Sequence, residues 1–204
     1  ESVRSNSNEY VRQAADFVYS IKSRKGDSSD KNLNLASEAC FSLKEHTQLI
    51  FERLESLLQI EVKSPEDEQA KVLVDKKIFP TFQRLEKSLR RSLSLELIEY
   101  RLNLSERILS PSDFGFHNIL VDNKTLYFFD FEYAGWDDPA KLFCDFYSQP
   151  EFPVIFEQAE NFRILVSQAL KLTETNLWTK ELLPFYRLKW CCILLNEFRQ
   201  SDRN

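Results

Sequence analysis

Apolar residues recur at helical spacing through most of the first 110 residues. One set lies near the start of the chain, at Tyr10, Ala14, Phe17 and Ile21. A second set follows, at Ala36, Ala39, Leu43, Ile50, Leu54 and Leu57. Each set falls on one side of an α-helix, which is typical of a helix that packs against a core. We therefore predict helices here, with His46, which lies among charged residues, at the surface.

Two prolines affect the helices predicted in the next segment. Ser64 precedes Pro65 and a run of acidic residues, and this order is typical of a capped helix start. The acidic run is therefore interpreted as the first turn of a helix and not as a metal site. Further along, Pro80 is expected to break or kink the helix that contains it, because proline lacks the amide hydrogen.

The pattern changes at Ile108. A short apolar run at 118–121 is followed by turn residues at 122–124 and by an aromatic-rich segment at 125–131. Two short apolar segments separated by a tight turn predict a β-hairpin. This hairpin is expected to lie in the middle of an otherwise helical chain.

Helical spacing returns at Pro139 and continues through segments near 153–172 and 174–200. Pro184 is expected to interrupt the last of these segments. The predicted fold class is therefore α+β, mostly α, with one small central β-hairpin.

Composition narrows the classes of function. The net charge is −5 and the basic residues are scattered, so no positive surface for nucleic acid is predicted. No apolar run is long enough to cross a membrane. The four cysteines, Cys40, Cys144, Cys191 and Cys192, form no C-x-x-C pair and are expected to be reduced thiols. A cytoplasmic protein is the resulting expectation.

Two similar aspartates stand on either side of the predicted hairpin. Asp113 begins an Asp-Phe-Gly tripeptide, which in protein kinases contains the magnesium-binding aspartate. That assignment would require another aspartate upstream, and residues 76–112 contain none. With Asp113 as the aspartate that orients the hydroxyl, Asn118 follows five residues later and Asp130 lies across the hairpin. This order matches the parts that phosphoryl transfer needs, so the Asp-Phe-Gly tripeptide is misleading.

The two stretches SPSDFGFHNILVD at 110–122 and LYFFDFEYAGWDDPA at 126–140 resemble the catalytic core of the aminoglycoside phosphotransferase and choline kinase superfamily. The resemblance implies that Asp113 is the catalytic base and that Asn118 and Asp130 bind Mg²⁺ and, through it, ATP. Glu132 is implied as a further ligand at a second metal. For His117 a hydrogen bond that orders the loop is expected, and not catalysis.

The chain departs from the family pattern at two places. The family has His-Gly before the catalytic aspartate, where this chain has Pro111 and Ser112, so the contacts that orient the loop must be made differently. An aspartate that usually follows Asp-Pro-Ala is replaced by Leu142. Neither departure removes a group that the chemistry requires.

The resemblance also implies a domain organisation. Residues 1–204 are expected to form the helical C-terminal lobe of a protein-kinase-like fold, with a catalytic core at about 108–145. An enzyme of this kind also needs an N-terminal lobe with a glycine-rich phosphate loop and a lysine paired with a glutamate. Here the first glycine is Gly26, in a polar loop at 23–34. The nucleotide-binding N-terminal lobe is therefore expected to be absent from this chain.

Aromatic residues near Asp130 bear on which molecule accepts the phosphoryl group. Tyr133 and Trp136 could pack around a quaternary ammonium group, which favours a choline- or ethanolamine-like amino alcohol over a sugar or aminoglycoside. The alternative to a small-molecule kinase is a catalytically silent helical binding module that keeps the kinase fold as a scaffold. The joint presence of Asp113, Asn118 and Asp130 favours the kinase.

Overall fold

The computed structural model describes residues 8–23, 33–172 and 178–199. These divide into two compact units, one made by residues 1–41 and 102–179 and the other by residues 42–101 and 180–204. We call them the hairpin unit and the helical unit. Most of the polar loop, with Gly26, and residues 173–177 lie outside the described residues.

The described part of the chain is mostly helical. The α-helices are α1 (Asn8–Ser23), α2 (Leu43–Leu58), α3 (Pro65–Leu73), α4 (Phe79–Ser92), α5 (Leu95–Glu99), α6 (Pro139–Ser148), α7 (Phe156–Leu170) and α8 (Thr179–Leu194). The strands are β1 (Ile108–Ser110), β2 (Ile119–Asp122), β3 (Thr125–Phe128) and β4 (Gly135–Asp137). They form two small antiparallel sheets, β1 with β4 and β2 with β3. The mostly helical α+β class is thereby confirmed, and the β1–β4 sheet adds to the predicted hairpin.

An aromatic core holds the hairpin unit together. Helix α1 packs against α7, and the rings of Phe17, Phe128, Phe146 and Phe162 all stack on Phe114. Phe114 is 2% exposed, so its ring lies inside the core. Stacked aromatic pairs add roughly 0.5–1.5 kcal/mol each beyond the area they bury.

The hairpin has the turn that its sequence predicts. Asp122 pairs with Thr125, so Asn123 and Lys124 form a two-residue turn, and both have positive φ, 48° and 66°. Such a turn matches the twist of the two strands. The Gln13 side chain in α1 fixes the hairpin, because it donates to the Lys124 carbonyl and accepts from the Leu126 amide.

The β1–β4 sheet is extended by the segment at 33–37. The Ala36 amide donates to the Trp136 carbonyl at 3.0 Å, and the Trp136 amide donates to the Asn34 carbonyl at 3.1 Å. A Cβ at Gly135 would lie 2.4 Å from the Ala36 nitrogen, so only glycine allows this approach. The prediction that Ala36 and Ala39 belong to a helix is wrong, because this segment pairs with β4 and α2 begins only at Leu43.

The helical unit corrects two further predictions. His46 is fully buried, with its Nδ1 2.7 Å from the Tyr186 hydroxyl, so the expected surface position is wrong. Pro184 lies inside α8 without ending it. Lys180, whose carbonyl would have bonded to the missing amide hydrogen, is exposed and accessible to water.

Other helix signals in this unit are confirmed. The Ser64 hydroxyl caps α3 by accepting from the Asp67 amide at 3.2 Å, and Pro65 occupies the first helical position. Such a cap contributes about 1 kcal/mol. Pro80 lies at the start of α4, directly after a π-helical turn at Val74–Ile78, so the regular helix is interrupted where proline predicted it.

Two expectations from composition can be compared with the structure. All four cysteines are free thiols, and the adjacent pair points in different directions, since Cys191 is exposed and Cys192 is buried. Burial, and to a lesser extent the neighbouring thiol, raises the pKa of Cys192 to about 12. Among the described helices, none combines the length and the apolar character needed to cross a membrane.

Candidate functional site

The loop after β1 presents Asp113 from a fixed backbone. The Phe114 amide donates to the Ser112 carbonyl at 3.0 Å, which makes a tight turn centred on Asp113. On the other side of this turn, the Phe114 ring is buried in the aromatic core. The Asp113 side chain is nevertheless 40% exposed. The structure therefore anchors the backbone and leaves the carboxylate accessible.

His117 orients that carboxylate. Its Nε2 lies 3.1 Å from Asp113 Oδ1, which is the loop-ordering hydrogen bond that the sequence predicts. The ring lies against Gly115, where a Cβ would come within 2.7 Å of His117 Nδ1. Gly115 has an extended backbone that any residue could adopt, so glycine is required here because a side chain would not fit. The glycine of the Asp-Phe-Gly tripeptide thus makes room for the histidine.

Asn118 joins the loop to the hairpin. Its side-chain Nδ2 donates to the Asp113 carbonyl at 3.0 Å, while its own carbonyl accepts from the Phe129 amide at 3.2 Å. Phe129 is the residue before Asp130, so these bonds bring the second aspartate beside the first loop. Because the first bond uses Nδ2, Oδ1 is the atom of Asn118 that could bind a cation.

Asp130 has an unusual backbone conformation. Its φ is 65°, in the left-handed region, and the residue is exposed. Aspartate tolerates this region better than most residues, but a residue with a side chain still loses energy there. Strained backbones of this kind persist where the surrounding structure fixes them, and they cluster at functional sites. The conformation turns the chain at Asp130, two residues after β3 ends at Phe128.

Negative charge is concentrated around Tyr133. The pKa of its phenol is raised above the usual tyrosine value, because the hydroxyl is hydrogen-bonded to Glu132 and that carboxylate opposes ionisation. The charges of Asp130 and Asp113 raise it further. Three carboxylates from two segments therefore act on one exposed side chain.

A buried network beneath the loop was not predicted from the sequence. Lys141 in α6 is 1% exposed, and its Nζ lies 2.7 Å from Asp137 Oδ2 and 3.0 Å from the Ser112 hydroxyl. Asp138 caps the same helix by accepting from the Ala140 amide at 2.7 Å. The only signal in the sequence is the pair Asp137 and Lys141 at helical spacing, which occurs just as often on helix surfaces.

The predicted residues are thus placed in three ways. Asn118 is hydrogen-bonded to the Asp113 carbonyl and to the Phe129 amide, Asp130 is the next residue after Phe129, and Glu132 and Tyr133 follow in the adjacent turn. Trp136 lies further on, half-buried on β4 opposite Leu109.

Comparison of the chain with protein-family models, curated proteins and solved structures finds no match.

Proposed function

We propose that the hairpin unit is the metal- and hydroxyl-binding part of a Mg²⁺- and ATP-dependent phosphotransferase. In this proposal the chain is the helical C-terminal lobe of a protein-kinase-like fold, and its acceptor is an alcohol group of a small molecule. The observation that carries the proposal is the pair of hydrogen bonds made by Asn118, whose side chain donates to the Asp113 carbonyl and whose carbonyl accepts from the Phe129 amide, because together they tie the Asp113 loop to the chain just before Asp130.

Asp113 is the proposed catalytic base. Its carboxylate is accessible and is directed by His117, and such an arrangement can accept the hydrogen of an acceptor hydroxyl. The hydroxyl oxygen then forms a bond to the γ-phosphorus of ATP, and the bond from that phosphorus to the bridging oxygen breaks, which releases ADP. The positional fixing of the base supports this role, since phosphoryl transfer depends mainly on positioning.

Asn118 and Asp130 fit a magnesium site in their chemistry. Amide and carboxylate oxygens are hard ligands, and Mg²⁺ usually keeps several waters and takes one or two carboxylates from the protein. Bound Mg²⁺ would neutralise the negative charge of the ATP phosphates. Glu132 is the proposed further ligand, because it lies two residues after Asp130 in the same exposed turn.

The charge around Tyr133 supports a cationic acceptor. Its ring is 43% exposed and lies beside the carboxylates that raise its pKa. A choline- or ethanolamine-like ammonium group would be attracted both by the ring face and by these charges. A neutral sugar would gain no attraction from these charges, so an acceptor with an ammonium group is favoured, and an amino alcohol is the class that we propose. The cytoplasm is the proposed compartment of this reaction, and four free thiols are consistent with its reducing conditions.

The test is a screen on the protein as its gene encodes it, so that any nucleotide-binding lobe is included. ATP consumption and phosphorylated product are measured with Mg²⁺ and with choline, ethanolamine, a sugar or an aminoglycoside. The Asp113→Asn and Asp122→Asn variants serve as test and charge-matched control. Turnover of an amino alcohol that is lost only in Asp113→Asn supports the proposal.

Two results would overturn the proposal. One is the absence of Mg²⁺-dependent turnover with every acceptor, and if an acceptor still bound, the silent binding module would replace the kinase. The other concerns the metal alone. Mn²⁺, which can replace Mg²⁺ at oxygen sites, should broaden the NMR signal of the Asn118 side-chain amide in the wild type and less in Asp130→Ala. Equal broadening in both proteins would remove Asp130 from the site.

A further inference from the structure

Lys141 is buried in a way that lysine rarely is. Its Nζ has three hydrogens and three acceptors, namely Asp137 Oδ2 at 2.7 Å, the Ser112 hydroxyl at 3.0 Å and the Ser37 carbonyl at 3.3 Å. Burial alone would lower the pKa of Lys141, but the charges of Asp137 and Asp145 outweigh this effect and raise it. Lys141 and Asp137 therefore form a buried ion pair.

A buried ion pair is weak evidence of a stabilising role, since an apolar pair of the same size often gives equal stability. The groups that Lys141 contacts indicate its role instead. One acceptor, the Asp137 carboxylate, lies four residues away at the end of β4, but the other two lie 29 and 104 residues away in the chain. The ammonium group thus ties α6 to the loop before Asp113 and to the segment at 33–37.

Ser112, which Lys141 contacts, directly precedes the proposed base. Its φ is 69°, in the left-handed region, where a serine is strained. Hydrogen bonds hold it there, because its amide donates to the Ser110 hydroxyl at 3.0 Å and its own hydroxyl donates to the Ser37 carbonyl at 3.3 Å. Lys141 completes this set by donating to the Ser112 hydroxyl. The backbone on the N-terminal side of Asp113 is therefore fixed by this network.

We infer that Lys141 is a positioning residue, which acts through Ser112 to hold the Asp113 carboxylate in its direction toward the acceptor hydroxyl. The inference rests on the proposed function. This chain has Pro111 and Ser112 where the family has His-Gly. In the proposed function, the network supplies the contacts that orient the loop. Lys141 touches neither acceptor nor nucleotide in this role.

The experiment uses Ser112→Ala as the main variant, because Lys141→Met would leave the buried Asp137 charge without its cation and could prevent folding. Ser112→Ala removes the link to the loop and keeps the Lys141–Asp137 pair. We expect kcat to fall by about 10- to 100-fold, the usual range for a misplaced catalytic group, with little change in the KM of the acceptor. Ser56→Ala, whose hydroxyl bonds only to the Arg53 carbonyl of its own helix, is the matched control.

A second measurement does not depend on turnover. The ¹⁵N chemical shift of His117 Nε2 reports its hydrogen bond with Asp113, and it should change in Ser112→Ala and in the folded double variant Lys141→Met/Asp137→Asn, but not in Ser56→Ala. A wild type without phosphotransferase activity would overturn the proposed function, and this shift would still decide whether the network positions Asp113. An unchanged shift together with a wild-type kcat in Ser112→Ala, even with a lowered melting temperature, would make the network structural only and overturn the inference.

Discussion

The loop around Asp113 and the turn after β3 both contain a proposed functional aspartate, but they are built differently. In the loop, Ser112 and Phe114 are buried on either side of Asp113, one in the Lys141 network and the other in the aromatic core. In the turn, Asp130 and its neighbours at 129–134 are all exposed. Asn118 links the two by its hydrogen bonds.

The difference corresponds to two kinds of chemical task. A catalytic base must point at one hydrogen atom, and a misplacement of about 1 Å can cost 100-fold in rate. A carboxylate that binds a cation can tolerate small shifts, because water molecules complete the coordination of Mg²⁺. A loop that is fixed by the core and an exposed turn that is held by backbone bonds to Asn118 and Ser37 suit these two tasks. The following predictions test whether this contrast is real.

Asp130→Ala should have the largest effect. Loss of this carboxylate should abolish Mg²⁺-dependent ATP binding as well as turnover, because the proposed Mg²⁺ site would lose a charged ligand. Isothermal titration measures Mg-ATP binding and a kinetic assay measures turnover, with Asp122→Ala as the control of equal charge. Normal Mg-ATP binding by Asp130→Ala would reverse the proposed roles of Asp113 and Asp130.

Asp113→Ala should lower turnover but leave Mg-ATP binding unchanged. Turnover should fall by about 10²–10⁴-fold, which is the usual contribution of a positioned acid–base group, while Mg-ATP still binds. The measurement compares kcat and the nucleotide affinity of the variant with those of the wild type. Turnover close to the wild-type rate would remove Asp113 from the role of base.

A pair of phenylalanines tests the contrast through stability. Phe114→Ala should lower the free energy of unfolding by about 3–5 kcal/mol, because a fully buried ring leaves a cavity in the core. Phe131, in the turn, is 41% exposed, so Phe131→Ala should cost roughly 1 kcal/mol. Urea denaturation gives both values. Equal losses would mean that the turn is as firmly packed as the loop.

Local patterns in the sequence predict these two regions well. The short apolar segments and the turn at 122–124 predict the hairpin, and the five-residue spacing of Asp113 and Asn118 corresponds to a local bond from the Asn118 side chain to the Asp113 carbonyl. Both features depend on residues close together in the chain. Alternation and turn chemistry act over such short distances, so they can be recognised without the fold.

Long-range contacts explain the failures. Ala36 has helical spacing with α2 but pairs with Trp136, and the close approach at Gly135 makes that pairing possible. His46 is polar among charged neighbours but meets Tyr186, 140 residues away. From its helical position alone, Lys141 would be assigned to the surface, but the fold brings Ser37 and Ser112 next to it. A buried polar residue is recognised only with its partner, and the partner is supplied by the tertiary fold.

The smallest effect concerns the titration of Tyr133 in the turn. The hydroxyl of this residue is hydrogen-bonded to Glu132, so its pKa should lie above the ordinary tyrosine value of about 10. The protonated phenol is the form that donates to Glu132, and the stability it contributes is fully present below the unfolded pKa. That contribution is lost as the pH rises through the folded pKa. Glu132→Gln should lower the pKa of Tyr133 toward the ordinary value, whereas Asp122→Asn should leave it raised. An NMR titration of the tyrosine ring carbons follows this pKa directly, and a Tyr133 that ionises at or below the ordinary value in the wild type would show that the carboxylates of the turn do not gather around it.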